Sequence, residues 1–358
     1  MVSLGSPVQV ELGELSSAVP DVRVAIVGCG WAGSRHAHAF RAAGAELTWA
    51  VDVDPVRANA ISAAHTTSEL ATALADPTVE AVSVCLPHGL HADATIAAAA
   101  AGKHVLVEKP IAASLDEADR MIAAAEAAKV VLMVAETVRF DPLLGRAVDL
   151  VRGGAIGPPA LVQITRQAYL SASFLTDRRW FLNREAAAGG IMMSGAVHDF
   201  DILRMFVGEP VSVYAVRVRQ RFVEMEGDDT SVAIVRFSNE VTATLIESFV
   251  MKTLETAAGG EDHTVRVDGE LGSLVVDGRR QNLRLFSEAD EYRLTDGLAA
   301  HELRVASADP FEREVRHFVS CIQDSVEPIT SGRSQRRNLE LVLAAYASMA
   351  SGAAVSVA

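Results

Sequence analysis

A glycine-rich turn between a short apolar run and a helical segment constrains the fold of this chain most. In VAIVGCGWAGSRHAHAF (24–40), Gly28, Gly30 and Gly33 have GxGxxG spacing. In such a turn the first glycine allows a tight bend, the second lets backbone N–H groups approach a pyrophosphate, and the third lets helix and strand pack closely. The segment therefore predicts a βα unit that binds a dinucleotide.

Short apolar runs alternate with alanine-rich helical stretches through the first part of the chain. Apolar strands without polar alternation are buried on both faces, which is typical of a parallel sheet with crossover helices. This part is predicted to be a doubly wound Rossmann domain over residues 22–142. The runs are VRVAIV (22–27), ELTWAV (46–51), AVSVCL (81–86), HVLVE (104–108) and VVLMVAE (130–136).

The pattern changes after a predicted helix at 141–152. Here we expect a second α/β domain at 143–358 with an open-faced, largely antiparallel sheet, whose free face is a candidate oligomer surface. Two helices, at 310–324 and 334–350, close the chain and could fold back on the first domain. The strands with apolar/polar alternation are 211–222, 230–237 and 241–250, with a tight SNE turn between the last two.

Composition argues against several classes of partner. The 358 residues are 50% hydrophobic and carry a formal net charge of −14, whereas nucleic acids and anionic membranes require a basic surface. No apolar run is long enough to span a membrane, and residues 1–21, interpreted as a loose extension, lack the basic residues of a signal peptide. The acidic charge therefore favours a small-molecule partner. Cys29, Cys85 and Cys321 are not at metal-ligand spacing, which argues against a metal site and fits a reduced cytoplasm.

Asp52 ends the second predicted strand, 24 residues after Gly28. A carboxylate near this spacing binds the hydroxyls of the adenosine ribose and repels the 2′-phosphate of NADP, so NAD is the favoured cofactor. Arg57 weakens this preference because it could reach a phosphate. Asp54, which precedes Pro55, is interpreted as a helix cap.

Several segments are similar to the Gfo/Idh/MocA family, the glucose-fructose oxidoreductase and inositol dehydrogenase group. The resemblance extends over nearly the whole chain from Val22 and implies a Rossmann domain, an open-faced α/β domain, and a homodimer or homotetramer formed through the open sheet. It also implies hydride transfer between a nicotinamide and a sugar, cyclitol or related polyol. The segments are GCGWAGSRHAHAF, CLPHGLHADATIAAAAAGKHVLVEKPIA, VRFDPLLGRAVDLVRGGAIGPP, AAAGGIMMSGAVHDFDILRMF, FEREVRHFVSCIQ and GRSQRRNLELVLAAYASMASG.

The resemblance assigns the chemistry to Lys109 and His198. Lys109 matches the lysine of the family's EKP motif at a strand end, where an ammonium can stabilise a developing alkoxide. His198 matches the family's histidine, which takes a proton from the alcohol. Glu108 either orients Lys109 or contacts the nicotinamide ribose.

The sequence departs from the family pattern at Ser194, where an aspartate is expected one helical turn before His198. A serine can bond a substrate hydroxyl or the imidazole but cannot act as an anionic partner. Asp201, at i+3 from His198, is the preferred substitute acid, while Asp199 is expected to face solvent. Ala188 also replaces the first glycine of the family's triplet.

Other polar residues are weaker candidates. His91 either lies near the cofactor or opens a helix, and His88 could touch nicotinamide or substrate. Arg139, Tyr169, Arg178 and Trp180 are candidate walls of a sugar pocket, although aromatic residues in such positions often belong to the core. The complete predicted cofactor set is Gly28, Cys29, Gly30, Trp31, Ala32, Gly33, Asp52, Arg57, Leu86, Pro87, His88, His91, Glu108 and Lys109.

The sequence favours an NAD(P)-dependent dehydrogenase or reductase. Two alternatives are a glycoside-cleaving enzyme that uses transient oxidation by NAD, and a nucleotide-binding regulator that has lost the chemistry. Ser194 supports the regulator, and retention of Lys109 and His198 argues against it.

Overall fold

The computed structural model describes residues 22–171, 175, 178–222, 224–253, 260–292 and 300–357. The predicted extension at 1–21 lies outside the described residues.

The first domain is built on a parallel sheet, as predicted. Within the described residues this sheet has six strands in the order β3-β2-β1-β4-β5-β6, so its strand order reverses between β1 and β4, where open α/β sheets bind their ligands. The strands are β1 Arg23–Val27, β2 Glu46–Val51, β3 His65–Thr67, β4 Ala81–Val84, β5 His104–Glu108 and β6 Leu132–Ala135. The helices between them are α1 Trp31–Ala42, α2 Pro55–Ile61, α3 Leu70–Ala75, α4 His91–Ala100 and α5 Leu115–Ala128.

The second domain follows helix α6, Pro142–Arg152, and contains a mixed sheet. Its strand order in the described residues is β14-β13-β12-β11-β7-β10-β9-β8-β15, and all neighbours are antiparallel except β7 and β10. The strands are β7 Pro159–Ala168, β8 Pro210–Arg217, β9 Thr230–Phe237, β10 Thr242–Ser248, β11 Glu261–Gly269, β12 Gly272–Asp277, β13 Asn282–Ser287, β14 Ala300–Leu303 and β15 Val355–Ser356. The helices are α7 Arg184–Ala187, α8 Ile191–Ser194, α9 Ala196–Phe206, α10 Pro310–Asp324 and α11 Gly332–Ser351.

The boundaries of strand β8 differ from the sequence prediction. The strand ends at Arg217 rather than at residue 222, because the backbone N–H groups of Arg221 and Phe222 donate to the Asp229 carboxylate, each at 2.7 Å. The tight turn between β9 and β10 is present, with Phe237 N donating to Val241 O.

The two faces of the second sheet differ in their environment. One face contributes Val213, Val235 and Leu245 to the core. The opposite face leaves Tyr214, Ile234 and Ile246 exposed among the described residues, as expected for strands of alternating polarity.

The final helices pack back on the first domain. Phe318 of α10 is fully buried, and its ring lies edge-on to Phe40 of α1 with 6.3 Å between centroids. This contact joins the end of the chain to the helix that begins at the glycine-rich turn.

None of the described helices combines the length and the apolar character that a membrane crossing requires.

We expect Phe318→Ala to lower the free energy of unfolding by about 3–5 kcal/mol, because the substitution leaves a cavity between α10 and α1. Chemical denaturation measures the change. Val326→Ala is the control, since Val326 is half-exposed and its truncation should change stability by less than about 0.5 kcal/mol. Equal effects of the two substitutions would contradict this packing.

Candidate active site

The glycine-rich turn has the geometry of a dinucleotide-binding loop. Gly28 has φ +87°, and a Cβ there would collide with the Cys85 carbonyl, while a Cβ at Gly33 would collide with the Gly28 carbonyl. A Cβ at Gly30 would meet open space, and no side chain caps the N-terminus of α1. The N–H groups of this helix end are therefore available to a pyrophosphate, so these residues fit NAD.

Asp52 is tied to the glycine-rich turn. Its carboxylate accepts hydrogen bonds from Cys29 N at 2.7 Å and from Asp54 N at 2.8 Å, and the residue stays partly exposed. Asp54 caps α2 through Val56 N, as predicted, and also lies 3.5 Å from Arg57 Nε. Arg57, which could otherwise reach a phosphate of NADP, is thus close enough to Asp54 to form an ion pair.

Lys109 follows β5 and connects the two domains. Its ammonium Nζ donates to the backbone carbonyl of Ser194 at 2.7 Å, and its backbone N–H donates to Glu108 Oε2 at 3.1 Å. Glu108 Oε1 lies 3.2 Å from His36 Nε2. Burial lowers the pKa of the Lys109 ammonium, while the carboxylates of Glu108 and Glu136 act in the opposite direction.

His198 contacts an acid that the sequence analysis did not identify. Its Nδ1 lies within hydrogen-bond distance of Oε1 of Glu136, the residue after β6, and its Nε2 has no partner among the described residues. Burial and the cations Lys109 and Arg166 hold the pKa of His198 well below its usual value. The imidazole is therefore neutral near pH 7 and can accept a proton.

Asp201 is not the acid beside His198, which corrects the sequence prediction. Its carboxylate accepts two hydrogen bonds from Arg139, at 2.5 and 2.7 Å, and lies 3.3 Å from Arg204. A planar guanidinium satisfies both oxygens at once, whereas the shorter histidine already bonds Glu136. Arg139 thus pairs with Asp201, and its side chain stays one-fifth (20%) exposed.

The side chain of Ser194 does not contact the imidazole. Its hydroxyl donates to Gly190 O at 2.8 Å and is buried. The backbone carbonyl of Ser194, and not its side chain, is the group that holds Lys109.

Asp199 is buried, contrary to the expectation that it faces solvent. It accepts two hydrogen bonds from Arg166 of β7, at 3.0 and 2.7 Å, and lies 3.0 Å from His263 Nε2 of β11. Arg166 also pairs with Glu261 and lies 4.0 Å from Glu247. Arg166, Glu247 and Glu261 occupy strand positions whose side chains point towards the core. Charged residues in an otherwise apolar strand face are the sequence signal that could have revealed this network.

The predicted histidines His88 and His91 both contact backbone carbonyls. The ring nitrogens of His91 lie 2.8 Å from the carbonyls of Pro110 and Leu86, so this residue connects two loops at the start of α4. His88, after Pro87, bonds Ala187 O at 2.8 Å and has its ring 5.0 Å from that of Trp180.

Arg178 brings the second domain over the glycine-rich turn. Its guanidinium lies 5.2 Å from the ring centroid of Trp31, next to Ala32. Tyr169 instead lies under the Lys252 ammonium, 4.6 Å from its ring centroid, and no described contact joins it to Lys109 or His198.

Two family models match consecutive parts of the chain. Residues 22–136 match one described as "Oxidoreductase family, NAD-binding Rossmann fold", and residues 145–275 match the "GFO/IDH/MocA C-terminal domain".

Known proteins agree with these matches. The chain is 31% identical over 297 residues to the uncharacterized oxidoreductase YrbE of Bacillus subtilis (strain 168), with 82% of each chain covered. It is 29% identical to myo-inositol 2-dehydrogenase of Thermotoga maritima, covering 76% of this chain and 78% of that protein. A structure of levoglucosan dehydrogenase with NADH and levoglucosan has the same fold, with a TM-score of 0.85 at 23% identity, covering 94% of this chain and 100% of the other. The chain therefore belongs to the Gfo/Idh/MocA family of NAD-binding oxidoreductases.

Proposed function

We propose that this oxidoreductase transfers hydride between NAD and a secondary hydroxyl, or the matching ketone, of a sugar, cyclitol or related polyol. The observation that carries the proposal is the hydrogen bond from Lys109 Nζ to Ser194 O. This bond holds the Lys109 ammonium on Ser194, one helical turn before His198. Lys109 follows strand β5 at the carboxyl edge of the parallel sheet, and the loop after β1 at the same edge fits a dinucleotide. The substrates named for the relatives, myo-inositol and levoglucosan, support the polyol class.

The two side chains have complementary roles in this reaction. His198 Nε2 accepts the hydroxyl proton, because the imidazole is neutral and this nitrogen has no partner in the described part of the chain. Lys109 has three N–H donors, of which one binds Ser194 O, so the others can stabilise the negative charge on the substrate oxygen. Bound NAD supplies the acceptor for the hydride.

We expect Lys109→Met and His198→Ala each to lower kcat/KM by about 10²–10⁴-fold, because each removes a group that acts on the reacting oxygen. The assay follows NADH formation with a panel containing myo-inositol, D-glucose, D-xylose and levoglucosan, and NAD affinity should stay within about threefold. Lys129→Met is the matched control, since this exposed lysine follows α5. Full activity of either site variant would contradict its assigned role.

Net NADH formation also separates the proposed function from glycoside cleavage by transient oxidation, in which substrate is consumed without net NADH. Binding of NAD without turnover of any panel member would favour the regulatory alternative.

For the cofactor, we propose that Asp52 selects NAD over NADP. We expect Asp52→Asn to improve the affinity for NADP relative to NAD by about 10-fold, because the substitution removes the charge that repels a 2′-phosphate. The asparagine oxygen can still accept from Cys29 N, whereas the bond from Asp54 N is lost. Titration of both cofactors measures the ratio of dissociation constants, and an unchanged ratio would assign the selection to another residue.

We propose that the open face of the second sheet joins copies of this chain into a homodimer or homotetramer. Tyr214, Ile234 and Ile246 form an exposed apolar strip on neighbouring strands β8, β9 and β10, and such strips are typical of interfaces. We expect Ile234→Glu to reduce the mass measured by light scattering to that of one chain, while Val326→Glu leaves it unchanged. A monomeric wild-type protein would refute this interface.

A further inference from the structure

Glu136 contacts only one of the two ring nitrogens of His198. The Glu136 Oε1 atom lies within hydrogen-bond distance of His198 Nδ1, whereas His198 Nε2 has no partner among the described residues. The Glu136 side chain is fully buried, and its Oε2 has no hydrogen-bond partner among the described residues. An ionised carboxylate is costly in such a place, and protonation relieves that cost.

The surrounding charges disfavour an imidazolium at His198. Lys109 and Arg166 repel a positive charge there and, with burial, lower the pKa of His198. Burial and the Asp201 carboxylate raise the pKa of Glu136 well above its usual value. The titratable and charged groups that act on this pair come from several surrounding elements. They are Glu108 at the end of β5, Lys109 directly after it, Arg166 on β7, Asp199 and Asp201 on α9, and Glu314 on α10.

We propose that Glu136 is a proton-accepting positioning residue for His198. Before the reaction Glu136 is ionised and accepts a hydrogen bond from the Nδ1–H of neutral His198. During alcohol oxidation the hydroxyl O–H bond breaks and its proton forms a bond to Nε2, while the Nδ1–H bond breaks and that proton forms a bond to Glu136 Oε1. The hydride leaves the same substrate carbon for NAD. The imidazole remains neutral, the proton is held by Glu136, and the reverse transfers return it through Nε2 to the cleft.

This inference rests on the proposed function. It assigns to Glu136 the role of anionic partner of His198, which an aspartate at the position of Ser194 would have in the family pattern. A carboxylate at position 194 would be one helical turn away on the same segment. Glu136 comes instead from the end of β6 in the other domain, so the proton acceptor and His198 meet only when the two domains are packed together.

Glu136→Gln tests the proton transfer because an amide retains the size of the side chain but cannot accept the proton. We expect kcat to fall about 100-fold, with KM for the polyol and affinity for NAD within about threefold of wild type. Glu136→Asp should recover part of kcat. Glu126→Gln is the control, since Glu126 is an exposed glutamate that pairs with Arg333, and it should keep wild-type kcat.

The solvent isotope effect distinguishes proton transfer from a purely structural role. In mixtures of H₂O and D₂O, wild-type kcat should follow the curved dependence of two protons in flight, and Glu136→Gln should follow a straight line. A linear wild-type dependence, or unchanged kcat in Glu136→Gln, would overturn the inference while leaving the assignment of Lys109 and His198 intact.

A titration of the protein without substrate provides a readout that does not depend on activity. The ¹³C signal of the Glu136 carboxyl carbon, assigned by its loss in Glu136→Gln, should titrate well above the ordinary pKa of glutamate. An ordinary midpoint would overturn the inference even in an active enzyme. Failure of the wild-type protein to turn over any polyol would instead count against the proposed function.

Discussion

The ammonium of Lys109, held on the carbonyl of Ser194, is the interaction on which the site depends. A charge in a poorly hydrated cleft needs both hydrogen bonds and countercharges. The Ser194 carbonyl accepts a hydrogen bond from the ammonium at 2.7 Å. The carboxylates of Glu108 and Glu136 are the countercharges. Because Ser194 belongs to the second domain, the lysine reaches this environment only when that domain is packed against the first.

The charges around Lys109 also determine which of His198 and Glu136 can hold a proton. Two cations lie near His198, so an imidazolium is unfavourable and the ring is kept neutral. The network of Arg166 with Asp199, Glu261 and His263 fixes one of those cations. Burial and a neighbouring carboxylate raise the pKa of Glu136, which favours a proton on its carboxyl group. The proposed transfer of a proton through His198 to Glu136 would therefore leave no added positive charge on the imidazole.

The sequence predicted the parts of the fold that depend on local patterns. Gly28, Gly30 and Gly33, and the apolar runs, gave the Rossmann sheet because turn geometry and strand burial are local properties. Strands β7 and β11–β14 were not predicted, although β13 begins with NLRL, in which polar and apolar residues alternate. The family resemblance identified Lys109 and His198, but Glu136 was missed because its contact with His198 joins residues 62 positions apart. Its location directly after a buried parallel strand was the available signal.

In the proposed reaction Lys109 and His198 act together on one oxygen of a polyol. A crystal structure with NAD and a polyol that the enzyme turns over would show whether they do. We expect one substrate oxygen within hydrogen-bond distance, about 2.6–3.2 Å, of both Lys109 Nζ and His198 Nε2, with its carbon facing the nicotinamide. A polyol bound against the nicotinamide with its reacting oxygen in contact with neither side chain would contradict these roles.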